Sequence, residues 1–196
     1  MTKIKINLEF CLIFCFLMAI ESFAQEIVLE NDSLILWNAN RQLTWSDFTG
    51  EPIKAYGKVS GIHQAAASAT GPIFVHRPDV DGNMIPYPLT YFYKNLSWTI
   101  AKDSLLLEHE QLHFDIKELC VRQMRKEFDS LKGEDYYDSK KYSEISARVL
   151  EECSQTQKKY DKEVSFNKIK QNEWKQFIHE EIEKLKQYEF KTPAPR

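Results

Sequence analysis

Leu105-Leu106-Leu107-Glu108-His109-Glu110-Gln111-Leu112-His113-Phe114-Asp115-Ile116-Lys117-Glu118 is the stretch whose periodicity sets the architecture of the chain. Apolar residues at 105, 106, 112, 116, 119, 120 and 124 recur at helical spacing, and Asp103 or Ser104 is a suitable N-cap. A helix running to about Leu131 is predicted, ended by Gly133-Glu134-Asp135. On that helix His109 and His113 lie one turn apart on the same face, so both imidazoles can bind one metal ion. Glu110 is turned about 100° from His109, where a carboxylate can serve as a base.

Two more helices are expected downstream. One runs from about Lys140 to Val164, with Tyr142, Ile145, Val149, Cys153 and Tyr160 on one stripe. The other runs from about Lys168 to Tyr188 and carries Trp174, Phe177, Ile178, Ile182 and Leu185. If the first two form an antiparallel hairpin about a turn near residue 136, facing positions sum to roughly 271–273. Residues 157–164 then lie beside the His109–His113 turn, and Cys120 faces Cys153. That pair is either a disulfide or two small buried thiols.

Upstream the chain reads as strands and turns. Glu26–Glu30 and Leu34–Trp37 flank Asn31-Asp32-Ser33, a hairpin turn; Ile73–His76 and Leu89–Tyr93 flank a turn at Asp81-Gly82-Asn83. Lys58–Thr70 is rich in small residues that suit a helix by propensity, yet its position among strands favours a strand over part of it. Tyr91, Tyr93, Leu96 and Trp98 would give an aromatic packing surface ahead of the first helix. The expected fold class is therefore α+β: a small N-terminal antiparallel β region packed on a helical hairpin plus a third helix, with a zincin-like active-site helix.

The first 24 residues read as a signal peptide. Lys3 and Lys5 precede eleven uninterrupted apolar residues, Phe10–Ile20, and Ser22-Phe23-Ala24 places small residues before a cleavage point at Gln25. Eleven residues are too few for a hydrocarbon core that needs about 20 in a helix. An exported chain, periplasmic or secreted, is expected: one domain over 25–190 and a disordered tail over 191–196, with Cys120 and Cys153 in an oxidising compartment. The 196 residues, 43% of them hydrophobic, suffice for a real core. A net charge of -3 and pI near 6.0 argue against a nucleic-acid partner.

His109-Glu110-x-x-His113 is the HExxH pattern of zinc metallopeptidases, in which Glu110 is the general base. Catalytic zinc usually takes three protein ligands and keeps one position open for water. The hairpin offers Tyr160, Asp161 and Glu163. Tyr160 faces the metal most directly and is expected to stabilise an oxyanion, with direct metal ligation as its lesser role. Asp161 and Glu163 flank that face by about 80° each. Glu163, the longer, is the expected third ligand, with Asp161 and then His179 as alternatives. His63 and His76 read as ordinary strand histidines. Asp115 and Glu118 either orient an imidazole or are solvated helix positions, the second reading suiting Glu118; Glu108 reads as surface charge.

The run His109–Ile116, with Ser97-Trp98 before it and Trp45-x-Asp47-Phe48 earlier, resembles a family of bacterial exported proteins described as predicted secreted zinc-dependent proteases. The resemblance extends from about Leu43 to Trp174. Tyr160-Asp161-Lys162-Glu163 is similar to a family segment that commonly continues to a histidine; Phe166 stands at that position here. The resemblance implies a Zn2+ site and peptide or protein substrates, with Asp161 or Glu163 substituting if that histidine is a family ligand. The leading expectation is thus an exported zinc-dependent metallopeptidase using metal-activated water. The alternative is a non-catalytic exported metal-binding or envelope-associated protein whose metal site is incomplete and whose aromatic first half forms an interaction surface.

Overall fold

The computed structural model describes residues 27–52, 65–78, 82–131, 138–165 and 167–191. The expected signal peptide, His63, Asp81, Gly133-Glu134-Asp135 and Phe166 lie outside these residues. The fold is α+β, with strands β1 (Leu34–Leu36), β2 (Ala66–Ala67), β3 (Thr70–Pro78), β4 (Met84–Tyr93) and β5 (Trp98–Thr99) preceding the helices. Those are α1 (Ser104–Ser130), α2 (Ser139–Val164) and α3 (Lys168–Lys184). Among the described residues no helix is long and apolar enough to cross a membrane.

One antiparallel sheet has the order β1-β4-β3, and β2 pairs with β5 in a second. The Asn31 side chain makes the first turn, its Oδ1 accepting from Ser33 N and Leu34 N at 2.8 Å each. Before that turn the expected strand is reduced to a single bridge, Glu30 to Ile35, beside the bond from Leu36 N to Leu29 O. Ala66–Ala67 is extended despite its helical propensity because Thr99 and Trp98 supply pairing partners. Tyr91 and Trp98 are buried as expected, whereas Leu96 sits on a 3-10 turn, 62% exposed.

Four prolines occupy β3 and β4, a residue type that cannot donate to a ladder. Their positions remove the conflict. Trp37 N donates to Thr90 O, so even-numbered residues of β4 direct their backbone polar groups toward β1. Pro86 and Pro88 lie on this side, beyond the part of β4 that β1 covers, which is only Tyr91–Tyr93. Pro72 and Pro78 pair with Thr90 and Met84, so by the same alternation their nitrogens face the outer edge of β3.

α1 begins where Asp103 Oδ1 accepts from Leu106 N at 3.0 Å. It is covered on two sides. Phe114 meets Phe92 of β4, with ring centroids 5.8 Å apart, while Leu112 and Ile116 pack with Tyr160, Val164 and Ile178 of α2 and α3. Burying Phe114 contributes roughly 1.5–3 kcal/mol. α2 starts at an Asp138 cap and ends at Ser165, which adopts a left-handed conformation (φ 36°) and turns the chain into α3. α3 is shorter than expected, and Lys186–Tyr188 forms a 3-10 turn.

The α1–α2 hairpin forms with the expected register. Cys120 and Cys153 are disulfide-bonded, with Cα atoms 5.9 Å apart. Closing a loop across 33 residues restricts the unfolded chain by about 3–4 kcal/mol in the chain-entropy model. The double variant Cys120→Ala, Cys153→Ala is expected to lose about 2–4 kcal/mol in urea unfolding. A loss below about 1 kcal/mol would mean that helix packing alone sets the register.

Glu118 corrects the expectation of a solvated position. It is 2% exposed and accepts from Thr90 Oγ1 (2.5 Å), Arg122 Nε (2.9 Å) and Arg125 Nη1 (3.1 Å). The arginines, also buried, donate onward to Ile182 O, Pro88 O and Tyr188 O. This charged node joins α1 to the sheet and the C-terminal segment.

Candidate metal centre

The two histidines of α1 meet α2 at its last turns. His109 Nε2 and His113 Nε2 are 3.1 Å apart, and Asp161 Oδ1 lies 3.2 Å from the first and 2.9 Å from the second. Three corners of a tetrahedron with metal–ligand bonds of roughly 2.0–2.2 Å would be about 3.3–3.6 Å apart. The triangle is thus within a few tenths of an ångström of the face a tetrahedral metal requires. Two imidazole nitrogens and one carboxylate oxygen also form a donor set suited to zinc and its neighbours in the first transition row.

The carboxylate that completes this candidate group is that of Asp161, while the expected Glu163 lies apart from it. Glu163 Oε2 accepts from Trp174 Nε1 at 3.0 Å, and its other oxygen lies near Lys159. His179 is also outside the group; its Nε2 stands 3.3 Å from Asp115 Oδ2. Asp115, 5% exposed, also accepts from Trp37 Nε1 and from Gln111 Nε2, each at 2.9 Å. Its imidazole contact is thus with His179, outside the candidate group, rather than with either motif histidine. Gln111 Oε1 in turn accepts from Leu43 N at 2.8 Å, tying the N-terminal segment to α1. Glu108 is exposed as expected, and so is His76 on β3.

Gln157 clamps His113 at both ends. Its Oε1 meets His113 Nδ1, while its Nε2 donates to His113 O at 2.9 Å. With Nδ1–H donating to the amide oxygen, Nε2 of the neutral ring carries the lone pair a metal would take, and in the protonated ring Nε2–H donates to Asp161 instead. Gln157 was recoverable from the sequence, since it opens the segment that hairpin spacing puts beside the motif.

Tyr160, the expected oxyanion stabiliser, lies beside His109. It has no exposed surface, stacks on His109 with centroids 4.7 Å apart and planes 22° apart, and directs its hydroxyl to His109 O at 3.4 Å. Its ring packs nearly parallel to the imidazole of the residue whose carbonyl its hydroxyl approaches. Burial, reinforced by the charges of Glu110 and Asp161, pushes its phenol well above the usual range.

The electrostatics favour a cation. Burial raises the Asp161 carboxyl, but hydrogen bonds from His109 and His113 outweigh it and hold the group well below the usual carboxylate range. Burial likewise pushes His113 down, yet Asp161 and the charge of Glu110 carry it above the ordinary imidazole value. What stabilises a proton between these groups stabilises a metal cation there too. Glu110, 3% exposed, accepts at Oε2 from Ser68 Oγ at 2.6 Å. Nothing in the small-residue run around Ser68 marked it in advance. Among the described residues, His109, His113 and Asp161 are the group able to hold a metal ion. No family model matches the chain, and no curated protein or solved structure is similar enough to it to count as a match.

Proposed function

We propose that this protein is an exported zinc-dependent hydrolase that cleaves peptide bonds. The observation that carries the reading is the convergence of His109, His113 and Asp161 ligand atoms within 2.9–3.2 Å, with a buried carboxylate, Glu110, adjacent to the first ligand. The HExxH pattern of His109–His113 points the same way, as does the signal-like segment over residues 1–24.

A divalent ion held by these ligands would polarise a carbonyl oxygen and lower the pKa of a water molecule. The chain's own residues do the rest. Gln157 and Tyr160 hold the two imidazoles in plane. Glu110 takes the proton of the attacking water and returns it to the departing amine nitrogen. Asp161, whose side chain is 56% exposed, leaves the ligand triangle open to solvent on its own side.

Chelator-treated protein titrated with zinc should bind one equivalent and then hydrolyse an unstructured peptide mixture. Asp161→Asn is expected to weaken zinc binding on the order of 100-fold or more, since even losses beyond the ligands themselves cost 10–100-fold. Glu163→Gln should remain within about threefold of wild type. The reverse ranking would return the third position to Glu163.

A second reading, an exported protein that holds metal without catalysis, is favoured by Tyr160, whose hydroxyl lies buried against the His109 carbonyl rather than facing a substrate. Stoichiometric zinc uptake with no cleavage of the peptide mixture would establish it.

A further inference from the structure

Glu110 receives its hydrogen bond from a residue 42 positions earlier in the chain. Ser68 lies between β2 and β3, and its neighbours hold this link at several points. Ala69 N donates to Ser97 Oγ at 2.9 Å, Ser97 Oγ donates to Tyr93 O at 2.8 Å, and Tyr93 N donates to Ala69 O at 2.9 Å. On the other side Ala66 and Ala67 pair with Thr99 and Trp98, and Ile100 N donates to Ala65 O at 2.8 Å. Ser97 itself is fully buried. The Ser68 hydroxyl, which also lies 3.4 Å from the Glu110 backbone carbonyl, therefore reaches the carboxylate from a segment anchored to β4 and β5.

A hydroxyl-to-carboxylate distance of 2.6 Å is that of a short, charge-assisted bond. It fixes the rotation of the carboxyl group and takes up one lone pair of Oε2, which makes Oε1 the freer of the two oxygens to accept a proton. A base must stand within hydrogen-bond reach of the proton it takes, and a side chain on a flexible three-bond stem meets that condition only when something pins it. We infer that Ser68 is a positioning residue for the general base, holding the Glu110 carboxylate so that Oε1 addresses the attacking water. This role rests on the hydrolase reading given above.

The test compares zinc-loaded wild type, Ser68→Ala, Ser68→Thr, Glu110→Gln and the Ser68→Ala, Glu110→Gln double variant. Ser68→Ala is expected to lower kcat by about 10- to 100-fold, the scale of a misplaced reacting group. KM should stay within about twofold and zinc stoichiometry should not change. Ser68→Thr should restore kcat, because the hydroxyl returns. In the Glu110→Gln background Ser68→Ala should have no further effect. A readout that needs no turnover is the infrared carboxylate stretch of the metal-free protein, identified as the band lost in Glu110→Gln. It should shift in Ser68→Ala and not in Ser68→Thr. An unmoved band, or an equal loss of kcat in the Glu110→Gln background, overturns the inference. If zinc-loaded wild type cleaves nothing, the hydrolase reading falls and takes this catalytic role with it, whatever the band does.

Discussion

Replacing Glu118 with alanine is expected to destabilise the fold by about 3–5 kcal/mol, the range for removing one partner of a buried ion pair. The reason is what remains. Arg122 and Arg125 have side chains only 1% and 2% exposed, and Glu118 is the carboxylate both of them reach. Glu189, the other acidic group near Arg122, is 3.4 Å away and partly exposed, so it offsets little of the loss. The Thr90 hydroxyl loses its acceptor as well. With a urea m-value of about 2 kcal/mol per M, the unfolding midpoint should fall by roughly 1.5–2.5 M. The exposed pair between Arg148 and Glu152 provides a control: Glu152→Ala should leave the midpoint where it is. If Glu118→Ala unfolds within about 1 kcal/mol of wild type, the arginines have reached solvent and the node does not join the layers as described.

The second large effect concerns chemistry. Glu110→Gln keeps the shape of the side chain and can still accept the Ser68 hydrogen bond, but an amide cannot take a proton from water. A general base typically contributes about 10²–10⁴-fold, or roughly 3–5 kcal/mol of barrier. On the hydrolase proposal, peptide hydrolysis should fall by that factor while zinc binding and thermal unfolding stay near wild type, since the three atoms of the candidate metal group come from other residues. Hydrolysis at the wild-type rate with zinc retained would remove Glu110 from the reaction. A matching loss of zinc would instead assign Glu110 to the architecture of the site.

The sequence carried much of this arrangement, and the exceptions have physical causes. Apolar spacing located α1, and simple hairpin arithmetic placed Cys120 against Cys153 and the 157–164 segment against the histidines. The choice between Asp161 and Glu163 was not legible, because the two flank the metal-facing direction symmetrically. A third helix breaks the tie: α3 places Trp174 Nε1 where Glu163 can bond it, leaving Asp161 for the imidazoles. Glu118 looked solvated because charge normally is. A signal was nonetheless present, since Arg122 and Arg125 lie four and seven residues on, among the buried Val121, Met124 and Phe128. A helix packed on two sides has few outward positions, so its charges must find partners inside. Ser68 left no mark at all. Its contact depends on where two short strands meet α1, which local spacing does not encode.

The placement of the four prolines has a consequence for how these molecules behave toward one another. An open strand edge is a template on which a neighbouring chain can lay down its own backbone, the first step toward fibrils and amorphous precipitate. Along the part of β4 that β1 does not cover among the described residues, Pro86 and Pro88 remove successive donors, and Arg125 occupies the Pro88 carbonyl. Pro72 and Pro78 remove donors from the outer side of β3. A stranger's strand would find an interrupted row of bonding groups on either flank of this hairpin. Crowding at high concentration should therefore leave the sheet unextended, a property of the β half that does not depend on any chemistry α1 performs.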